Sequence, residues 1–132
     1  MIKPGILHFK LIALTLFVSA MLISCQTKDE SAWRKGNMHT HTFWSDGDDF
    51  PESVAKWYKD NGYDFLQFTD HNTLLEGARW KKFPVEHQAL EKYKRLFGEA
   101  WVETQPAEEE GNIQVRLRPL DEFRDKFEEP DE

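Results

Sequence analysis

Only one cysteine occurs in the 132 residues, so the chain cannot close a disulfide on itself. Long apolar runs are missing as well. The longest, residues 11–23, holds 13 residues, short of the roughly 18–20 that span a hydrocarbon core, and a permanent transmembrane helix is the weaker reading of it. Basic residues are outnumbered by acidic ones, 17 against 24, for a net charge of −7. Residues 1–24 carry two lysines and no acid, so the remainder is two charges more negative still. That balance disfavours an unassisted grip on a phosphate backbone, and no nucleic-acid motif is present, so no direct nucleic-acid binding is expected. A phosphorylated substrate stays open, because bound divalent cations reverse the field locally. No internal repeat is present either. What is present is the composition of one small globular domain, 39% hydrophobic and 31% charged, with ten Phe and five Trp to build a core.

Residues 1–24 have the plan of an export signal: basic Lys3 and Lys10, the apolar run, then small Ser24 directly before Cys25. The order Leu22-Ile23-Ser24-Cys25 resembles the bacterial lipobox, in which the cysteine receives lipid and becomes the new N-terminus. The alternative is an ordinary signal peptide with a chance cysteine. Lipidation of Cys25 would anchor an exported protein to a bacterial membrane, at the outer membrane or a periplasmic face, and by resemblance to lipoprotein sorting the Gln26 that follows leans towards the outer membrane. Residues 25–35 are polar and short of apolar anchors, as a tether would be.

In the remainder, residues 36–132, the stretch from Gly36 to Thr42 alternates so that His39 and His41 share one face and Thr40 and Thr42 the other. Ser45-Asp46-Gly47 supplies a turn, Pro51 opens a helix carrying Val54, Trp57 and Tyr58, and Gly62 stops it. Tyr63 to Thr69 suits a buried parallel strand. Strand, helix, strand is one βαβ unit of an α/β fold, with ligands expected at the strand C-termini. Asn72 to Pro84 reads as a loop, and Val85 to Phe97 as a helix with Leu90, Tyr93 and Phe97 in one stripe. A hairpin is expected between Trp101–Thr104 and Ile113–Leu117 across an acidic loop, then a short helix from Pro119 that turns Leu120, Phe123 and Phe127 inward.

Metal-ligand side chains collect at the ends of the two expected strands: His39, His41, Asp46, Asp70 and His71. Imidazoles at i and i+2 on a strand can converge on one ion, and a parallel neighbour brings His71 beside them. Such a mixed nitrogen and carboxylate set suits zinc, manganese or iron. A His-x-His pair alone reads equally well as surface or packing histidines; the added Asp46 and Asp70-His71 are what favour a metal site. His87, expected in mid-helix, is read as structural rather than as a ligand.

At these residues the chain resembles the PHP (polymerase and histidinol phosphatase) superfamily, whose first motif, His-x-His-[Ser/Thr]-x-x-Ser-Asp-Gly, is matched by residues 39–47. Its second, Thr-Asp-His-Asn, is matched by residues 69–72. The resemblance is clear from about Gly36 to Thr73, and Leu90 to Pro130 looks like an insertion found in exported members. It implies a distorted barrel of seven βα units holding two or three metal ions, usually for phosphoester hydrolysis. His39 and His41 would then belong to one ion, Asp46 and His71 to another, and Asp70 would orient a ligand from behind. The family's later motifs, a metal-bridging Glu with a following His and an Asp-x-His pair, have no counterpart in the sequence.

The expectation is therefore an incomplete barrel: its first βα units followed by a helix, hairpin and short helix, the N-terminal part of a metal-dependent phosphoesterase. Activity of this chain would be absent or weak, and the substrate of the complete protein would be a phosphorylated small molecule or a phosphodiester. Two alternatives stand beside it. One is a non-catalytic lipoprotein that binds metal or serves as a surface interaction module. The other is an amidohydrolase-like barrel, which also opens on His-x-His but lacks the Ser-Asp-Gly turn.

Overall fold

Pro51 fixes the entry of the first helix, α1 (Pro51–Asp60), because its ring presets the helical φ and the missing N–H lies where no intrahelical partner exists. Asn61 closes that helix and Gly62, at φ +69°, turns the chain out of it. On either side lie β1 (Gly36–Thr40) and β2 (Phe65–Phe68), paired in parallel. The computed structural model describes residues 33–128, so the export signal, Cys25 and most of the tether lie outside the described residues. Among the described residues no helix is long and apolar enough to cross a membrane.

The architecture is mixed α/β. After the βαβ unit come β3 (Arg79–Pro84), α2 (Gln88–Phe97), a turn of 3-10 helix (Glu99–Trp101), β4 (Thr104–Pro106), β5 (Asn112–Leu117) and α3 (Leu120–Phe123). The last three strands form an antiparallel sheet in the order β3-β5-β4. Its central strand buries Val115 and Leu117 completely, and α2 adds Leu90 and Tyr93. Phe43, Trp44 and Phe50, from the loop after β1, complete this core together with Leu75, Phe83 and Phe123. Phe50 stacks on Tyr93 with ring centroids 4.1 Å apart, and Phe43 meets Phe50 and Phe83 edge-on at 5.0 and 4.9 Å. The stretch from Leu90 onward is thus half of the hydrophobic core rather than a decoration on it.

Several expectations need correcting. Residues 79–84 are a strand, not loop: each residue from Arg79 to Pro84 pairs with one from Asn112 to Leu117. Phe83 is its buried apolar residue, which left too faint an alternation to recognise. The β2 strand is not buried; Phe65 is 46% exposed, because among the described residues only β1 pairs with it. The second helix starts at Gln88 rather than Val85, and His87 is not in mid-helix but caps it, its Nδ1 accepting from the Ala89 amide at 3.3 Å. The hairpin strand before the acidic loop begins at Thr104 rather than Trp101, which lies in the 3-10 turn and donates its indole N–H to Tyr93 and Glu52.

Candidate metal centre

The site grows out of the crossing from β1 into the loop that follows it. Thr40 and Thr42 point inward and are buried, which leaves His39 and His41 on the outer side. Their rings stack with centroids 4.8 Å apart. The chain then folds back sharply. The Thr42 carbonyl accepts from the Ser45 and Gly47 amides at 3.0 and 2.9 Å, and the Phe43 amide donates to Asp49 at 2.8 Å. Gly47 is required there, since a Cβ would lie 2.4 Å from the backbone carbonyl of His41.

Asp70 is the peg on which the loop hangs. It is buried (8% exposed) and accepts from the Thr42 amide at 2.7 Å, the Thr42 hydroxyl at 3.0 Å and the Ser45 hydroxyl at 2.7 Å. The Thr42 oxygen in turn accepts from the Trp44 amide at 3.1 Å. One residue earlier, the Thr69 hydroxyl accepts from the Thr40 amide at 3.0 Å, and the Thr69 amide donates to the Thr40 carbonyl at 2.8 Å. Thr69 and Asp70 thus lock the end of β2 to the end of β1, so that His71 emerges beside His41.

The consequence is a cluster of His41, Asp46 and His71 whose potential donor atoms all lie within 4.8 Å of one another. His41 Nδ1 is 2.8 Å from Asp46 Oδ1, and His71 Nε2 is 3.5 Å from Asp46 Oδ2. The two imidazoles meet edge-on with centroids 4.4 Å apart. The Asp46 carboxyl lies below its ordinary range: desolvation is the largest single influence and pushes it up, but bonds from His41, Ser45 and its own amide, with the His71 charge, together outweigh it. Two imidazole nitrogens and a carboxylate this close could hold one metal ion.

Of the sequence-predicted ligands, the fold therefore gathers His41, Asp46 and His71. His39 is stacked on the outer side of His41 and its donor atoms are not in that group, while Asp70 faces the loop from behind rather than the cluster. In the sequence Thr42 is placed only on the strand face opposite the histidines, Ser45 only in a turn and Thr69 only at a strand end; their work is to hold the ligand loop in shape.

Fold and site together define a mixed α/β domain with a His/Asp cluster at the C-terminal ends of two parallel strands. No family model, no curated protein and no solved structure matches the chain.

Proposed function

We propose that the described domain is the metal-binding front part of a PHP-type phosphoesterase, exported and held to a membrane through lipid on Cys25. The observation that carries the hydrolase reading is the convergence of His41, Asp46 and His71, with the remaining motif residues accounted for as the bracket behind them. These three side chains would hold a divalent ion, with His39 stacked on His41. Bound there, zinc, manganese or iron would lower the pKa of a water and polarise a phosphoryl oxygen. The chain's own part is to present two imidazole nitrogens and an ionised carboxylate, which the depressed Asp46 supplies.

Turnover by this chain should be weak at most. Two-metal phosphoester chemistry needs a bridging carboxylate, and among the described residues the cluster contains one acid, Asp46. Its side chain and that of His71 are also 63% and 59% exposed, which favours a second reading as a metal-binding module without catalysis. Assay of the purified chain with zinc, manganese and iron against a phosphate monoester and a diester separates the two. Slow, metal-dependent hydrolysis lost in His71→Ala supports the hydrolase. Metal binding with no hydrolysis favours the module. Hydrolysis unchanged by removal of metal or of His71 contradicts both.

A further inference from the structure

We infer that Arg79 and Lys81 form a subsite for the phosphoryl group of an ester substrate, beside the His41/Asp46/His71 cluster; this rests on the phosphoesterase reading above. The two residues alternate along β3 with Phe83, whose ring is buried in the core, so all three share one face of the strand. That face lies against the ligand loop. The Lys81 ammonium donates to the Phe43 carbonyl at 3.2 Å, two residues beyond His41, and sits 4.7 Å from the Phe43 ring centroid. The Arg79 guanidinium donates to the Thr73 hydroxyl at 3.1 Å, two residues beyond His71, and lies 5.4 Å from the Trp44 ring centroid. Each cation is therefore tied to the segment that delivers one of the two clustered histidines.

Their charge is unbalanced. Among the described residues neither forms an ion pair, in a chain that carries 24 acids, whereas Lys82 on the opposite face of the strand pairs with Glu109 at 2.7 Å. The Lys81 ammonium is held below its ordinary range by partial burial and by the Arg79 charge, against the weaker pull of Asp70 and Asp48. Asp70 and Asp48 offset that repulsion only in part and form no ion pair with either cation, and a dianion bound by both would relieve the rest. The donors suit one: a guanidinium fork with a single nitrogen engaged, and an ammonium with donors to spare. An ester whose phosphoryl oxygens reach these donors would lie against the loop that carries His41 and the segment that follows His71.

The test is calorimetric titration of inorganic phosphate, and separately phenyl phosphate, into the full chain equilibrated with manganese. The samples are the parent, Arg79→Gln/Lys81→Gln, the charge-keeping exchange Arg79→Lys/Lys81→Arg, and Lys82→Gln. The subsite predicts a loss of affinity of about tenfold or more in the double glutamine variant, as expected for removing charged hydrogen bonds. Lys82→Gln should stay within about twofold and the exchange variant between these limits. Arg79→Gln alone, at an exposed position, keeps the comparison available if the double variant is unstable. Equal affinity in parent and double variant, or no phosphate binding by the parent, overturns the subsite. Binding of inorganic phosphate without phenyl phosphate overturns its assignment to an ester. Manganese titration of the same samples reads the metal separately. Manganese binding without a phosphate response to Arg79 and Lys81 sinks the subsite alone, and that response in a chain taking no manganese sinks the metal reading alone.

Discussion

Asp70 and Glu52 are the two buried acids of the described domain, and they have opposite characters. Asp70 is saturated with donors, two from Thr42 and one from Ser45. Asp70→Asn keeps the shape but replaces an acceptor by an amide that faces donors. It should lower stability by about 2 kcal/mol in denaturant titration, the usual scale for charged hydrogen bonds, and weaken metal binding as well. Unchanged stability would mean that the loop does not hang on Asp70. Glu52 is fully inaccessible. One oxygen accepts from the Tyr93 hydroxyl at 2.5 Å and from the Trp101 indole at 3.3 Å, while the other has no partner. Burial pushes its carboxyl above the ordinary 4.5, against the pull of the Tyr93 and Trp101 bonds and the Arg118 charge. Between the ordinary and the raised value the folded state holds more protons than the unfolded one, so stability should fall as pH rises through that window. Chemical unfolding across that pH range should show the slope in the parent and flatten it in Glu52→Gln. A slope of opposite sign would place the Glu52 pKa on the other side. None of this burial was legible in the sequence, where Glu52 reads as an ordinary acid in the first turn of a helix.

At the scale of elements, the features that were legible are those set by local backbone chemistry. Pro51 and Gly62 bracket α1, and Pro119 stands directly before α3, whose Phe123 is buried as its spacing suggested. What failed depended on partners distant in sequence. The β3 strand is specified by its pairing with β5, not by its own Arg-Trp-Lys-Lys-Phe-Pro pattern, and the 3-10 turn at Trp101 by bonds to Tyr93 and Glu52. The ligand loop lies between these cases. Its Ser-Asp-Gly turn was readable, but the reason for its glycine is the His41 carbonyl pressed against it. Gly47→Ala must therefore displace that backbone, and with it His41 or Asp46. Metal affinity should fall by about tenfold or more, equivalent to about 1.4 kcal/mol, while Gly111→Ala, in the loop before β5, strains a backbone at φ +80° but meets no neighbour and leaves the affinity unchanged. Equal effects of the two would show that the turn geometry does not control the site.

For the molecule as a whole, the ligand loop links two parts of unlike strength. The antiparallel sheet with α2 carries the core, whereas the parallel pair β1-β2 has a free edge on each strand among the described residues. Phe43, Trp44 and Phe50 anchor the loop in the first part, and Thr69 and Asp70 anchor it to the second. The sequence singled out the side chains of the cluster through their motif spacing, but not which of them meet, because that depends on where the Asp70 bracket leaves the chain. Metal binding through that convergent set is the central claim, and calorimetric titration of manganese or zinc into the full chain tests it directly. The parent should take up one ion with an affinity that drops by about tenfold or more in His41→Ala and in His71→Ala, and less in His39→Ala. Uptake of equal affinity in the parent and all three variants would contradict it.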